Sequence, residues 1–252
     1  MARPCFLLPA SVATTVAALS LCSPATGVAK REQVSDVRAT VPTCQSALDQ
    51  AQRAVEFSGE MINARGADRM QIRFVLQAQG RGVGAADRWV RIKAPGFGVW
   101  NTSDPRVKRY QYTKRVENLL APARYRVRVS FRWLGLDGRV LREDGATSPA
   151  CRQPDLRPNL VPGAILQTPT GYAVPVRNTG PTPAAPFQVT LNVNGAVRPA
   201  EAVPSLAPNE QQLLAIAGPP CTSGTEILVT VDSGGAVPER DEGDNMVSLS
   251  CS

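Results

Sequence analysis

The sequence predicts an all-β chain folded as two β-sandwich domains in tandem, and three observations carry that expectation. The first is composition: 22 prolines and 20 glycines in 252 residues supply turns and break long helices. The second is alternation of apolar and polar residues with period two in both halves. The third is a set of four cysteines left after a leader-like N-terminal segment, two on either side of a proline-spaced joint. The length suits two domains of ordinary size, and 43% apolar against 19% charged residues excludes wholesale disorder.

Residues 1–29 read as a secretory signal. Arg3 supplies a positive start, and residues 6–22 are apolar but too short and too rich in Ala, Ser and Thr for a good membrane span. Ala25 and Ala29 offer cleavage points, and we place the mature start at Lys30. Lipid anchoring is the weaker reading, because Leu21 stands before Cys22 where a small residue is required. No second hydrophobic span follows, so the expected product is a secreted or surface-associated chain without a transmembrane segment.

Export fits the cysteine usage. Removal of Cys5 and Cys22 leaves Cys44, Cys151, Cys221 and Cys251, an even count suited to an oxidising compartment. Three pairings are formally open. A domain boundary near Pro154 places two cysteines in each half and selects Cys44 with Cys151 and Cys221 with Cys251. A four-cysteine zinc site is disfavoured, since there is no C-x-x-C pair and no histidine.

That boundary rests on residues 149–162, where Pro149, Pro154, Pro158 and Pro162 space an extended joint. The expected domains are 30–153 and 154–252. Charge changes sign between them: residues 30–154 hold 23 Lys/Arg against 12 Asp/Glu, whereas 155–252 hold 4 against 9.

In the first half, Met70, Ile72, Phe74 and Leu76 alternate with polar residues, as expected of a half-buried strand. Tyr125, Val127, Val129, Phe131 and Trp133 alternate with Arg126, Arg128, Ser130 and Arg132, giving one apolar and one cationic face. An Asp137-Gly138 turn leads to the next strand. Residues 89–92 and 110–116 are further strands, with residues 101–105 as a loop between them. Six or seven strands make a sandwich. The run Leu120-Ala121-Pro122-Ala123-Arg124-Tyr125 resembles the tyrosine corner of fibronectin type III domains, which implies an Ig-like sandwich whose Tyr hydroxyl returns to upstream backbone.

In the second half, strands are expected at 171–178, 187–195, 213–216, 227–231 and 246–249, about seven in all with shorter ones. Pro154-Asp155-Leu156, the turn Val176-Arg177-Asn178-Thr179-Gly180, the strand from Val189 to Gly195, and Val231-Asp232 followed by Val237-Pro238-Glu239-Arg240-Asp241-Glu242-Gly243-Asp244-Asn245 together resemble CARDB, the cell adhesion related domain found in bacteria. The resemblance implies an Ig-like sandwich associated with surface or extracellular proteins.

Candidate chemistry is sparse. The absence of histidine removes the commonest general base and the usual partner of a nucleophilic Ser or Cys, so no enzyme and no cofactor are expected. Gly80-Arg81-Gly82-Val83-Gly84 has the look of a phosphate loop, but no Lys-Ser/Thr follows it and it reads as an inter-strand loop. Glu239, Asp241, Glu242 and Asp244 raise a calcium question, yet their spacing fits no EF-hand, and turn capping is the preferred reading, with no metal. Arg73, Arg126, Arg128 and Arg132 form the candidate binding stripe for carboxylates, sulfates or phosphates, with Tyr110 and Tyr112 placed to border it. The competing reading is a solvated face, because the chain uses 24 Arg against 4 Lys as its default cation. A cell-surface polyanion or a protein is the expected partner, and nucleic acid is not, despite the net charge of +7. The expected function is a non-enzymatic binding or adhesion-type module. The alternatives are a structural spacer or assembly subunit, and an accessory or inhibitor module of a secreted enzyme.

Overall fold

The computed structural model describes residues 36–252, so the proposed signal segment lies outside the described residues. Alternation of inward apolar and outward polar side chains builds the first half from nine strands: β1 (Val37–Gln45), β2 (Ala54–Ile62), β3 (Arg69–Gly80), β4 (Ala85–Arg91), β5 (Trp100–Thr102), β6 (Arg109–Glu117), β7 (Ala123–Leu134), β8 (Val140–Thr147) and β9 (Cys151–Gln153). They form a sheet β1-β2-β6 and a sheet in which β3 and β7 are central. In the second sheet β4 and β5 share one edge, and β8 and β9 share the other. Each pair of short strands occupies a single edge position, so the nine strands amount to seven rows. The loop expected at 101–105 is corrected in part: Asn101 and Thr102 belong to β5, drawn into the sheet by pairing with Ile72 and Gln71.

The inward residues of both sheets meet in one core. Met70, Ile72, Phe74, Leu76, Val127, Val129, Phe131 and Trp133 are buried there against Val55, Phe57 and Met61. Trp133 buries its ring and still satisfies its Nε1–H on Ile62 O at 2.8 Å. The Tyr125 hydroxyl donates to Leu120 O at 2.9 Å, the bond that the fibronectin-like corner implies. Residues 80–84 form a short turn from β3 to β4, held where Gly82 N–H meets Pro122 O at 3.1 Å.

The second half repeats this row order. Its strands are β10 (Leu160–Pro162), β11 (Leu166–Thr168), β12 (Gly171–Asn178), β13 (Phe187–Val193), β14 (Ala196–Val197), β15 (Glu201–Val203), β16 (Gln211–Ala217), β17 (Glu226–Val231) and β18 (Met246–Ser250). One sheet has β12 between β16 and the pair β10 and β11. The other has β13 and β17 central, with β14 and β15 on one edge and β18 on the other. A separate core gathers Leu160, Tyr172, Val174, Val176, Val189, Leu191, Val229 and Val231. The chain is therefore all-β, with helix confined to two single 3-10 turns among the described residues.

Both cysteine pairs join as the sequence predicts. Cys44 on β1 bonds Cys151 on β9, tying the edges of the two sheets of the first half, and Cys221 bonds Cys251 beside β18 in the second. Their Cα atoms stand 5.5 Å apart in each pair, an ordinary disulfide span.

Candidate functional site

The site is built on the outer face of β3 and β7. Antiparallel register sets Arg73 opposite Ser130, Val75 opposite Arg128, Gln77 opposite Arg126 and Gln71 opposite Arg132. Since every second residue points outward, all four arginines share one solvent-side face while their neighbours fill the core.

The stripe is not bare. Two tryptophans from the edge strands lie on it: Trp89 of β4, with Arg126 over its ring at 4.0 Å and Arg124 at 5.9 Å, and Trp100 of β5, with Arg73 at 4.5 Å and Arg132 at 4.2 Å. Each such contact is worth about 0.5–2 kcal/mol according to its exposure. Hydrogen bonds fix the guanidiniums further, with Arg126 Nε on Gln77 Oε1 at 2.9 Å and Arg132 Nε on Glu143. Arg73 Nε is buried without a hydrogen-bond partner among the described residues. Arg128 alone of the four is exposed, and it has no ion pair among the described residues.

Tyr110 and Tyr112 do not border this stripe. They sit on β6 in the other sheet and pack toward the core, with the Tyr112 ring 6.4 Å from Phe74. The outward parity on β6 belongs to Gln111, Thr113 and Arg115, which the 110–116 pattern of the sequence contains but does not orient by itself. Conversely, sequence reading missed Trp89, Trp100 and Arg91. The available signal was that tryptophans at edge strands need cover, and a neighbouring face of arginines supplies it.

The acidic segment between β17 and β18 is occupied with its own backbone. Asp232 accepts from Ala236 N at 3.0 Å and Val237 N at 2.8 Å, Asp241 from Gly243 N at 2.9 Å, and Glu242 from Glu239 N at 2.8 Å. Asp244 accepts from Asn159 Nδ2 at 2.9 Å. Glu239 is fully buried; it accepts from Leu160 N and from Asn245 Nδ2, the latter at 3.0 Å. Burial pushes its carboxyl up to about 7, against the lowering effect of those two donors, and Glu242 and Asp232 add to the rise. No group of three or more His, Cys, Asp or Glu is placed to hold a metal ion among the described residues.

The Asn178-Thr179-Gly180 turn is held in the same network. Asn178 Oδ1 accepts from Gly180 N at 2.9 Å and Asn159 N at 3.2 Å, while its Nδ2 donates to Thr182 O at 2.8 Å and Leu206 O at 3.0 Å. A fully buried asparagine thus has its hydrogen-bonding capacity met.

The second half has an outer face at the position equivalent to the arginine stripe. Gln188, Thr190 and Asn192 of β13 alternate with buried residues, as do Leu228 and Thr230 of β17, and Ser248 of β18 pairs with Leu228. Glu226 at the start of β17 shares this outward parity, and none of the outward residues on these strands is a cation.

Residues 153–249 match the family model described as CARDB. Among curated proteins, none matches the chain. Of solved structures, the CARDB domain of a Pyrococcus furiosus protein in complex with di-metal ions is 27% identical, covering 37% of this chain and 85% of that one with a TM-score of 0.32. A domain of a Methanosarcina acetivorans protein named as a cell surface protein is 25% identical, covering 37% and 89% with a TM-score of 0.34. The class 5 fimbriae chaperone CfaA is 8% identical over 84% of this chain and 98% of that one, with a TM-score of 0.26. The C-terminal half resembles CARDB, an Ig-like domain. No helix of the described residues is long and apolar enough to cross a membrane.

Proposed function

We propose that the chain is an exported, non-enzymatic binding module of the cell surface or its surroundings, and that it contacts an anionic surface polymer through the outer face of β3 and β7. The carrying observation is the face itself: arginines held in fixed orientation by indole rings, on a scaffold whose second half carries no cation at the same rows. A default surface cation would be expected on both halves. Export is supported by the leader-like segment, the two disulfides and the CARDB resemblance of residues 153–249. The absence of histidine supports a role without catalysis.

The cation-free face of the second half favours a spacer role for that half, with recognition assigned to the first. The test is retention of the mature chain on heparin and on cell-wall material, at low and at physiological salt, beside the Arg126→Glu/Arg128→Glu variant. Salt-dependent retention lost in the variant is the expected result. Equal elution of both proteins would leave the spacer reading for the whole chain.

A further inference from the structure

We infer that a shallow concavity in the middle of this face is a subsite for one oxyanion group, a sulfate, phosphate or carboxylate carried on a polymer; the inference rests on the binding reading above. The concavity measures about 450 Å³, and Arg91, Arg128, Ser130, Thr147 and Gln77 line it together with small or apolar residues of β3, β7 and β8. No carboxylate does. Neither arginine has an ion pair among the described residues. Gln77 gives its Oε1 to Arg126, which leaves its Nε2 to donate. The polar part of the lining thus consists of donor-bearing side chains, at a place on the face where no indole or carboxylate engages the arginines among the described residues.

The surroundings sharpen the selection. A neighbouring concavity of about 250 Å³ shares Ser130, but there Glu143 and Asp144 stand against Arg73 and Arg132, so its charges balance and it offers an anion no net attraction. Gly145, paired with Ser130, belongs to the lining of the larger one. A Cβ at Gly145 would meet only Val129 O, at 3.5 Å, an ordinary contact. Packing therefore does not require glycine here, and its effect is to leave the concavity open. The sequence placed four arginines in one stripe; three are held as clamps, and Arg128 joins Arg91 as the contact pair.

The test measures binding of the full mature chain to heparin, polyphosphate and polygalacturonate by calorimetry at low salt, for the wild type and for Arg91→Ala, Arg128→Ala, Arg128→Lys and Arg65→Ala. Arg65 lies in the exposed turn between β2 and β3 and controls for loss of a single charge. The polymer that supplies the group should bind about 10-fold more weakly to each of the Arg91 and Arg128 variants, the lysine variant included because a fork of donors is lost, while Arg65→Ala changes affinity by less than about 2-fold. Equal weakening by Arg65→Ala and Arg128→Ala, or unchanged binding in all variants, overturns the subsite while leaving a polyanion-binding chain. Absence of wild-type binding to all three polymers overturns the binding reading itself. Arg128 is exposed, so unchanged circular dichroism of its variants separates these outcomes from misfolding.

Discussion

Glu239 makes the stability of the second half depend on pH in a direction opposite to that of most buried carboxylates in ion pairs. The side chain is fully buried, and its carboxyl is pushed up to about 7 from an ordinary 4.5. A group whose folded-state pKa is raised binds its proton more tightly in the native state, so its contribution is complete below pH 4.5 and is lost as pH rises through 7. A separation of about 2.5 pH units at about 1.4 kcal/mol per unit gives roughly 3 kcal/mol. Asn245 Oδ1 is buried without a partner, so rotation of that amide would offer the protonated carboxyl an acceptor. Glu239→Gln carries no titrating proton and keeps the shape. Urea unfolding of both proteins from pH 4.5 to pH 8 should therefore show the glutamine variant gaining about 3 kcal/mol relative to the wild type as pH rises. The three tryptophans, Trp89, Trp100 and Trp133, all lie in the first half, so the probe must be circular dichroism or the fluorescence of Tyr172. A difference that stays constant across the range would refute the reasoning, and would mean that Leu160 N–H and the Asn245 amide hold Glu239 ionised throughout.

Three other outcomes are expected. Replacing Cys44 and Cys151 by serine should lower the stability of the first half by about 5 kcal/mol, and replacing Cys221 and Cys251 that of the second by about 4, from loops of 107 and 30 residues; denaturant midpoints with and without reductant check both. Tyr125→Phe removes the hydroxyl that meets Leu120 O and should cost about 1–2 kcal/mol, read by tryptophan fluorescence in urea. Gly180→Ala should cost about 2–3 kcal/mol, because its Cβ would stand 2.4 Å from Pro158 Cα, and the loss should appear in the midpoint of the second half alone.

Much of the fold was legible because period-two alternation is a local property. Met70 to Leu76 and Tyr125 to Trp133 announce their buried face by sequence alone, and the structure buries those residues. The disulfide pairing was legible because a single joint divided the cysteines two and two. What alternation does not carry is the relation between strands. Tyr110 and Tyr112 alternate properly, yet nothing local says which side of β6 meets the core, and they turned inward. Trp89 and Trp100 stand 27 or more residues from any arginine they cover, and only the register of β3 with β4, β5 and β7 brings them together. The acidic segment was legible as turn capping, and the structure has its carboxylates on backbone N–H groups; which N–H each one engages is visible only once the loop is folded.

The repeated row order of the two halves allows the arginine face to be weighed against the demands of the fold. Both halves place rows three and six at the centre of the larger sheet, and both must cover the same outer surface with side chains tolerant of water. The second half does so with Gln188, Thr190, Asn192 and Thr230, which shows that neither positive charge nor indole is needed to finish such a sheet. On the first half the same positions carry guanidiniums in a row, whose mutual repulsion disfavours the arrangement unless something offsets it. The rings of Trp89 and Trp100 and the side chains of Gln77 and Glu143 supply that offset locally, at Arg73, Arg126 and Arg132. Among the described residues, no indole or carboxylate supplies it at Arg128. Arg128 is thus the guanidinium of the row that the fold leaves free of such contacts, and the proposed anion contact is placed there for that reason.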